Sequence, residues 1–391
     1  MQQNKKLIRI TTVPISLKVL LRRQLRFMSD YFEVIGVSSP GETLEEVGEQ
    51  EGIRTIPIPM TRSITPINDL KSLWQLYRLF RKERPFIVHT HTPKAGLLGM
   101  MASRFARIPI RMHTVAGLPL MESKGFRKKV LEFTERLTYT CATGIYPNSR
   151  NLAEFIIKNK YCTPAKLKVL GNGSSNGIDM DFFQLNQAAI SRGDAFKKEF
   201  NISDDDFVFL FVGRLVKDKG IEELLEAFTK TKQSHSNVKL LLVGPFEQEL
   251  DPISGKAKSV IDQDEDIIHV GFQQDVRSYL AISNALVFPS YREGFPNVPM
   301  QAGCFQLPSI VTDINGCNEI IEHGKNGLII PVKDAEALHR SMLALMTDKA
   351  LYLNLKSKAR NMILDRYEQN KFWKVLLNEY QEQLKKYATV S

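Results

Sequence analysis

Two short runs contain residue types whose spacing could do chemistry. In the first, six apolar residues, Phe207 to Val212, break at Gly213-Arg214-Leu215 and continue through Lys217-Asp218-Lys219-Gly220 into a helical pattern. In the second, an apolar run ends in Ser290-Tyr291-Arg292-Glu293-Gly294-Phe295-Pro296-Asn297, again before a helical pattern. Gly213 lets a ligand approach the backbone, and Arg214 offers a planar fork matched to phosphate oxygens. Lys219 adds a point charge where a helix begins and its first amides are free. Gly294, Phe295, Pro296 and Asn297 turn the chain so that further amides face a bound anion. Glu293 repels phosphate, but its carboxylate can accept two hydrogen bonds from hydroxyls. Phosphate donors beside a hydroxyl acceptor suit a diphosphate carrying a sugar. The bland alternatives are a basic surface loop at Arg214 and a helix-capping carboxylate at Glu293.

Apolar runs that alternate with helical patterns would position these groups. Strands are predicted near Leu7–Thr12, Phe32–Val37, Thr55–Pro57, Ile87–His89, Ile110–His113 and Gly144–Pro147, and then near Phe207–Val212, Lys239–Val243, Ile267–Val270, Ala285–Pro289, Ser309–Val311 and Gly327–Ile330. Helices fill the gaps, for instance Leu70–Glu83 and Lys94–Arg107. Such alternation marks α/β folds with parallel sheets covered on both faces. The run Leu170-Gly171-Asn172-Gly173-Ser174-Ser175-Asn176-Gly177 reads as a linker. Two Rossmann-like domains facing each other across a cleft are expected, over residues 1–175 and 176–368. Residues 369–391 form an amphipathic helix, with Phe372, Trp373, Leu376, Leu377, Tyr380 and Leu384 on one side, expected to cross back to the first domain. In an open α/β sheet, ligands bind at the carboxyl ends of the strands. Both chemical runs fall at such ends.

Composition narrows the classes. A chain of 391 residues, 43% hydrophobic and 25% charged, fits two globular domains. Cys141, Cys162, Cys304 and Cys317 make no CxxC pair, so four reduced thiols in a cytosolic protein are expected. The apolar stretch after Lys5, Lys6 and Arg9 is short and broken by Pro14, unlike a signal peptide. No apolar run reaches the length of a membrane span. The net charge of +10 is unevenly spread: residues 1–170 hold 28 Lys+Arg against 13 Asp+Glu, or +15, which leaves −5 for the rest. A basic first half attracts phosphates. Without the aromatic stacking platforms of RNA-binding modules, nucleic acid is a poor candidate and a lipid phosphate a better one.

The runs, taken in order, resemble the retaining, nucleotide-sugar-dependent glycosyltransferases of family 4, which have the GT-B fold. They are especially similar to the bacterial members that build capsule, O-antigen and exopolysaccharide units. The matching pieces are His89-Thr90-His91-Thr92-Pro93-Lys94-Ala95-Gly96, Thr114-Val115-Ala116-Gly117-Leu118-Pro119, Asn172-Gly173 with Gly177-Ile178-Asp179, Gly213-Arg214-Leu215 with Lys219-Gly220, Val243-Gly244, and Glu293-Gly294-Phe295-Pro296-Asn297. The resemblance implies that Arg214 and Lys219 hold the donor diphosphate, that Glu293 binds hydroxyls of the transferred sugar, and that the donor is a UDP-sugar. It implies an acceptor-binding first domain and a donor-binding second one. No metal or other cofactor is expected, in keeping with the lack of an Asp-x-Asp motif, and His89 and His91 find no third ligand at usable spacing.

Three departures from the family pattern stand out. Gln301 replaces the glutamate that grips the ribose hydroxyls, which predicts weaker nucleotide binding, since a neutral hydrogen bond is worth about 0.5–1.5 kcal/mol against about 1.5–3 for a charged one. Ala116 stands where many members have a histidine before Gly117, with His113 three residues earlier as a partial substitute or simply a structural histidine. Pro14-Ile15-Ser16-Leu17 replaces a glycine pair after the first strand. His91 is expected to point into the cleft while His89 packs away from it.

A cationic face completes the reading. From Leu17 to Phe32, at the helical angle, Leu17, Leu20, Leu21, Gln24, Leu25, Phe27, Met28, Tyr31 and Phe32 fill one side. Lys18, Arg22, Arg23, Arg26, Ser29 and Asp30 fill the other. The apolar side can pack on the sheet; the basic side suits anionic lipid. A second cluster, Lys124, Arg127, Lys128 and Lys129 among Met121, Phe126 and Leu131, lies where acceptor loops are expected. The expected place is therefore the cytoplasm, peripheral on the inner membrane face, with a lipid-linked saccharide as acceptor. A phospholipid or soluble acceptor, a non-catalytic nucleotide-sugar sensor and a sugar-nucleotide epimerase are the alternatives.

Overall fold

The computed structural model describes residues 5–63, 65–118, 120, 125–247 and 251–390. They form two compact units. Unit 1 runs to Gly177 and resumes at Gln369; unit 2 spans Ile178–Glu368. The chain thus leaves unit 1 at the end of the Gly/Asn/Ser run.

Unit 1 holds six strands, β1 (Lys6–Ile10), β2 (Glu33–Ser38), β3 (Arg54–Pro57), β4 (Ile87–His91), β5 (Ile110–Val115) and β6 (Gly144–Pro147), paired in parallel in the order β3-β2-β1-β4-β5-β6. Unit 2 repeats the plan with β7 (Phe207–Val212), β8 (Val238–Val243), β9 (Ile267–His269), β10 (Ala285–Phe288), β11 (Ser309–Thr312) and β12 (Gly327–Ile330), in the order β12-β11-β10-β7-β8-β9. Their near-continuous apolar runs suit strands covered on both faces. Each sheet grows outward through three strands, then returns to its centre and grows the other way. The reversal lies between β1 and β4 in unit 1 and between β7 and β10 in unit 2. Loops leaving such a neighbouring pair diverge to opposite faces and leave a crevice at the carboxyl edge.

The last helix, Gln369–Val390, belongs to unit 1. Its Phe372, Trp373, Leu376, Leu377 and Tyr380 are buried with Leu7, Leu21, Leu25, Met28 and Val34. The amphipathic pattern in the sequence is satisfied by this packing.

One predicted helix is not continuous. Between Leu17 and Phe32 the chain forms two short helices, Pro14–Leu20 and Gln24–Ser29, with Arg23 at a left-handed φ of 63° between them. The Glu51 carboxylate accepts the backbone N–H groups of Arg23 (2.7 Å) and Arg26 (3.0 Å), which caps the second helix from a distant segment. Leu17, Leu21, Gln24, Leu25, Met28 and Phe32 are buried, while Arg22, Arg23 and Arg26 are exposed. The apolar side is therefore part of the core. Lys18 pairs with Glu46 at 2.6 Å. The four cysteines are free, and among the described residues no helix is long and apolar enough to cross a membrane.

Candidate active site

The crevice of unit 2 collects the residues singled out in the sequence. After β7 the chain makes a short 3-10 turn, Lys217–Lys219, and enters the helix Ile221–Ser234 through Gly220. After β10 it passes Pro289 to Pro296 and enters the helix Asn297–Cys304. The two loops touch. Gly220 sits at φ 69°, and a Cβ there would run into the Pro289 carbonyl, so only glycine lets the helix start this close to β10. Tyr291 N–H donates to the Asp218 carbonyl at 2.8 Å, and Arg292 Nε donates to the Asp218 carboxylate at 2.7 Å. The Tyr291 hydroxyl donates to Glu223 at 2.6 Å, and this, with burial, pushes the phenol above its ordinary range.

Lys219 and Glu293 meet at the centre of this seam. The ammonium donates to Glu293 Oε1 in a close ion pair, with both side chains only about one-sixth exposed (17% and 16%). Lys219 also lies 5.8 Å from the Phe288 ring centroid. Glu293 does not cap the helix that follows. The N-cap is Pro296, which offers no side-chain bond to the first amides of that helix. Arg214, half exposed, pairs with Glu247 at 3.6 Å. Gly213 and Gly294 are partly buried on the two sides of the seam, and Phe295 packs partly buried against the core. Gln301, one turn into its helix, is half-buried, and its side chain makes no hydrogen bond among the described residues.

A third loop supports the site, and the sequence reading did not single it out. After β11, Asn315 Nδ2 donates to the carbonyls of Gly294 (2.5 Å) and Glu293 (3.2 Å). Gly316, at φ 76°, lies so close that a Cβ would stand 2.6 Å from the Gly294 carbonyl. The Thr312 hydroxyl donates to the Ser290 carbonyl. The signal was present: Asn-Gly after an apolar run is a turn pair. Nothing in the sequence, however, says which loop it meets.

Unit 1 treats its predicted site residues differently. His89 and His91 lie two apart on β4, so they share a face; the expectation that they diverge is wrong for a strand of period two. Their ring centroids are 4.4 Å apart, and both are buried. His89 bonds Tyr380 Oη of the last helix (2.6 Å) and Thr114 Oγ1 (2.8 Å). His91 accepts from Arg9 (2.9 Å), whose guanidinium also donates to Gln24 (2.6 Å). Burial, with the Arg9 charge beside them, holds both imidazoles well below their ordinary pKa. His113 faces the other side of the sheet, buried against Gly96 of the helix Pro93–Phe105 and bonded to Thr90 Oγ1 at 2.8 Å. Burial lowers its pKa to about 4. It is a core histidine and does not replace the family residue at Ala116. Ala116 and Gly117 are half-buried in the loop after β5, where the Ala116 carbonyl accepts from Asn148 Nδ2 at 3.1 Å. Pro119, Met121 and Lys124 lie outside the described residues, whereas Phe126, Arg127, Lys128 and Lys129 are exposed on the helix Gly125–Cys141. Among the described residues, no three His, Cys, Asp or Glu side chains converge as a metal site would need.

Comparison with known proteins assigns the chain a family. The family model for glycosyl transferases group 1 matches residues 193–362, and the glycosyl transferase 4-like domain matches residues 23–173. The capsular polysaccharide biosynthesis glycosyltransferase CapM of Staphylococcus aureus is 35% identical over 384 residues, 98% of each chain. The chain belongs to the family 4 glycosyltransferases. A second relative of this glycosyltransferase, 30% identical over 81% of this chain and 80% of its own, is the UDP-Gal:alpha-D-GlcNAc-diphosphoundecaprenol alpha-1,3-galactosyltransferase of Escherichia coli. The solved structure of HepE from Anabaena, in complex with UDP, has the same fold at a TM-score of 0.80, with 17% identity over 97% of this chain and 100% of that one. That fold is GT-B, two α/β units each built on a parallel six-stranded sheet.

Proposed function

We propose that this glycosyltransferase moves a sugar from a UDP-sugar to a hydroxyl of a saccharide carried on a polyprenyl diphosphate, with retained configuration, in surface polysaccharide synthesis. The observation that carries the proposal is the Lys219–Glu293 pair at the crossing point of unit 2. A cation and a carboxylate that neutralise each other when no substrate is bound supply two functions once a donor enters. The diphosphate draws the ammonium, and the sugar hydroxyls take over the carboxylate. Arg214 adds a guanidinium to the diphosphate, Gln301 meets the ribose, and the amides that open the helix at Asn297 face the anion. The names of the relatives support the choice of a UDP-linked donor and a diphosphoundecaprenol-linked acceptor.

The chemistry asked of the protein is mainly to stabilise the leaving diphosphate. At an effective dielectric near 20, a cation about 4 Å from new charge gains roughly 4 kcal/mol before desolvation. If Arg214 and Lys219 each retain half of that, they supply about 4 kcal/mol, or roughly a thousandfold in rate. Departure of the diphosphate leads and the acceptor attacks the same face, so paired carboxylates at a hydrolase separation are not required. In this proposal the two cations neutralise the diphosphate, and no metal or other cofactor takes part.

The test is a screen of UDP-sugars with a polyprenyl-diphosphate-linked saccharide as acceptor, read by mass spectrometry of the lipid product. A mass increase of one sugar, with the anomeric linkage of the donor kept, is the expected result. Binding of UDP-sugar without turnover would replace the proposal with a nucleotide-sugar sensor, and release of UDP without a glycosidic product would point to an epimerase or a hydrolase.

A further inference from the structure

The turn Glu293-Gly294-Phe295 carries the carboxylate of the seam, and one side chain from the loop after β11 fixes how its peptides are turned. An asparagine amide nitrogen has two hydrogens to give. Asn315 gives one to each of two successive carbonyls, Glu293 at 3.2 Å and Gly294 at 2.5 Å. Both peptides are trans, and a trans peptide sets its N–H opposite its C=O. The Glu293 carbonyl shares a peptide with the Gly294 N–H, and the Gly294 carbonyl shares one with the Phe295 N–H. Both amides therefore face away from Asn315. Neither donates to an acceptor among the described residues. The opposite side of the turn is closed, since a Cβ on Gly316 would stand 2.6 Å from the Gly294 carbonyl and 2.9 Å from Phe295 Cα. The two loops are also joined without Asn315, through the Thr312 hydroxyl and the Ser290 carbonyl. What Asn315 adds is the orientation of two peptides beside Glu293.

We infer that Asn315 is a positioning residue for the donor. By holding the two carbonyls back, it keeps the Gly294 and Phe295 amides aimed at oxygens of the nucleotide sugar that lies over Glu293. Donors fixed in place before the substrate arrives cost no reorganisation during the reaction. Asn315 acts through the turn, and its own amide is spent on the backbone. The inference rests on the donor class proposed above and adds a residue, outside the run that binds the donor, on which the donor's placement depends.

The test compares wild type, N315A and N315D by calorimetry with UMP, UDP and the UDP-sugar that the product screen identifies. Each ligand adds one group to the last. In N315A, UMP is expected to bind as in wild type, and affinity is expected to fall about fivefold at one later step, the size of one net hydrogen bond. Loss at the step from UMP to UDP places the amides at a phosphate oxygen; loss at the step from UDP to UDP-sugar places them at a sugar hydroxyl. Turnover at saturating donor is expected to fall about tenfold, as for a misplaced reacting group. N315D keeps the shape of the side chain but has no hydrogen to give, so it is expected to lose more than N315A; a space-filling role predicts the reverse order. Unchanged affinity for all three ligands, or an equal loss that includes UMP, would overturn the inference. Failure of the donor reading looks different: wild type then binds no uridine nucleotide, and the inference falls with it.

Discussion

The two units share one sheet plan and differ in what they place at its crossing point. In unit 2 the loops after β7 and β10 are sewn together by Lys219–Glu293, Arg292–Asp218 and a glycine against a carbonyl. In unit 1 the loops after β1 and β4 meet through two threonine hydroxyls and open onto an apolar wall with two arginines. Topology makes the crevice in both cases; the residues that line it choose the ligand. The units also differ inside. Among the described residues, the buried Arg, His and Glu side chains, Arg9, His89, His91, His113, Glu51, Glu83, Glu135 and Glu379, all belong to unit 1. Unit 2 keeps its charges near its surface and around its crevice.

If the contrast is right, the largest effect of a single change on turnover falls at the seam of unit 2. Lys219→Ala is expected to lower kcat by about thirtyfold, the equivalent of the roughly 2 kcal/mol assigned to this cation. The acceptor KM should stay near its wild-type value. Steady-state kinetics with both substrates varied checks this, and a variant with wild-type turnover would end the assignment of the leaving group to unit 2.

The buried acid Glu135 predicts a pH dependence in unit 1. Burial raises the Glu135 carboxyl to about 7, well above its unfolded value near 4.5. A raised carboxyl contributes its full stability below the unfolded pKa. That contribution declines as pH rises through the folded value and is gone above about 7. Unit 1 should therefore lose roughly 3 kcal/mol between pH 4.5 and pH 8 from this group. Glu135→Gln should remove that contribution and leave unit 1 gaining more stability with rising pH, because the lowered pKa values of the buried His89, His91 and His113 act with the opposite sign. Both tryptophans, Trp74 and Trp373, lie in unit 1, so their fluorescence during urea unfolding follows this unit. An unchanged slope in the variant would remove Glu135 as its source.

Gly220→Ala sharpens the seam itself. The added methyl meets the Pro289 carbonyl at a φ that favours glycine, so a loss of about 2 kcal/mol is expected in the denaturation midpoint, together with weaker UDP binding. The smallest effect concerns Gln301→Glu. Restoring a charged acceptor should tighten UDP by about 1 kcal/mol, roughly fivefold, by calorimetry. No change would move Gln301 out of the ribose site.

Much of this was legible in the residues. β6, β7 and β12 lie where the apolar runs predicted, and the remaining strands shift by a residue or two at their ends. Arg214, Lys219 and Glu293 could be singled out as ligand-binding types at strand ends, but not that the Lys219 and Glu293 side chains would pair. The helix over Leu17–Phe32 was misread as continuous, since its break at Arg23 depends on Glu51, a carboxylate from another segment. His113 was open to two readings because strand alternation gives a face without saying what covers it; the helix Pro93–Phe105 covers that face. The cationic stripe at Arg22, Arg23 and Arg26 was visible, but not that its apolar back would be consumed by the last helix.

Local pattern was enough to specify twelve strands and two sheets, because apolar period and turn residues act over a few neighbours. Which loops meet, which histidines vanish into the interior and where an empty space remains were decided only by the assembled fold. Those outcomes depend on close contacts between segments far apart in the chain, such as Lys219 with Glu293 and His89 with Tyr380, and no local signal encodes a partner tens or hundreds of residues away.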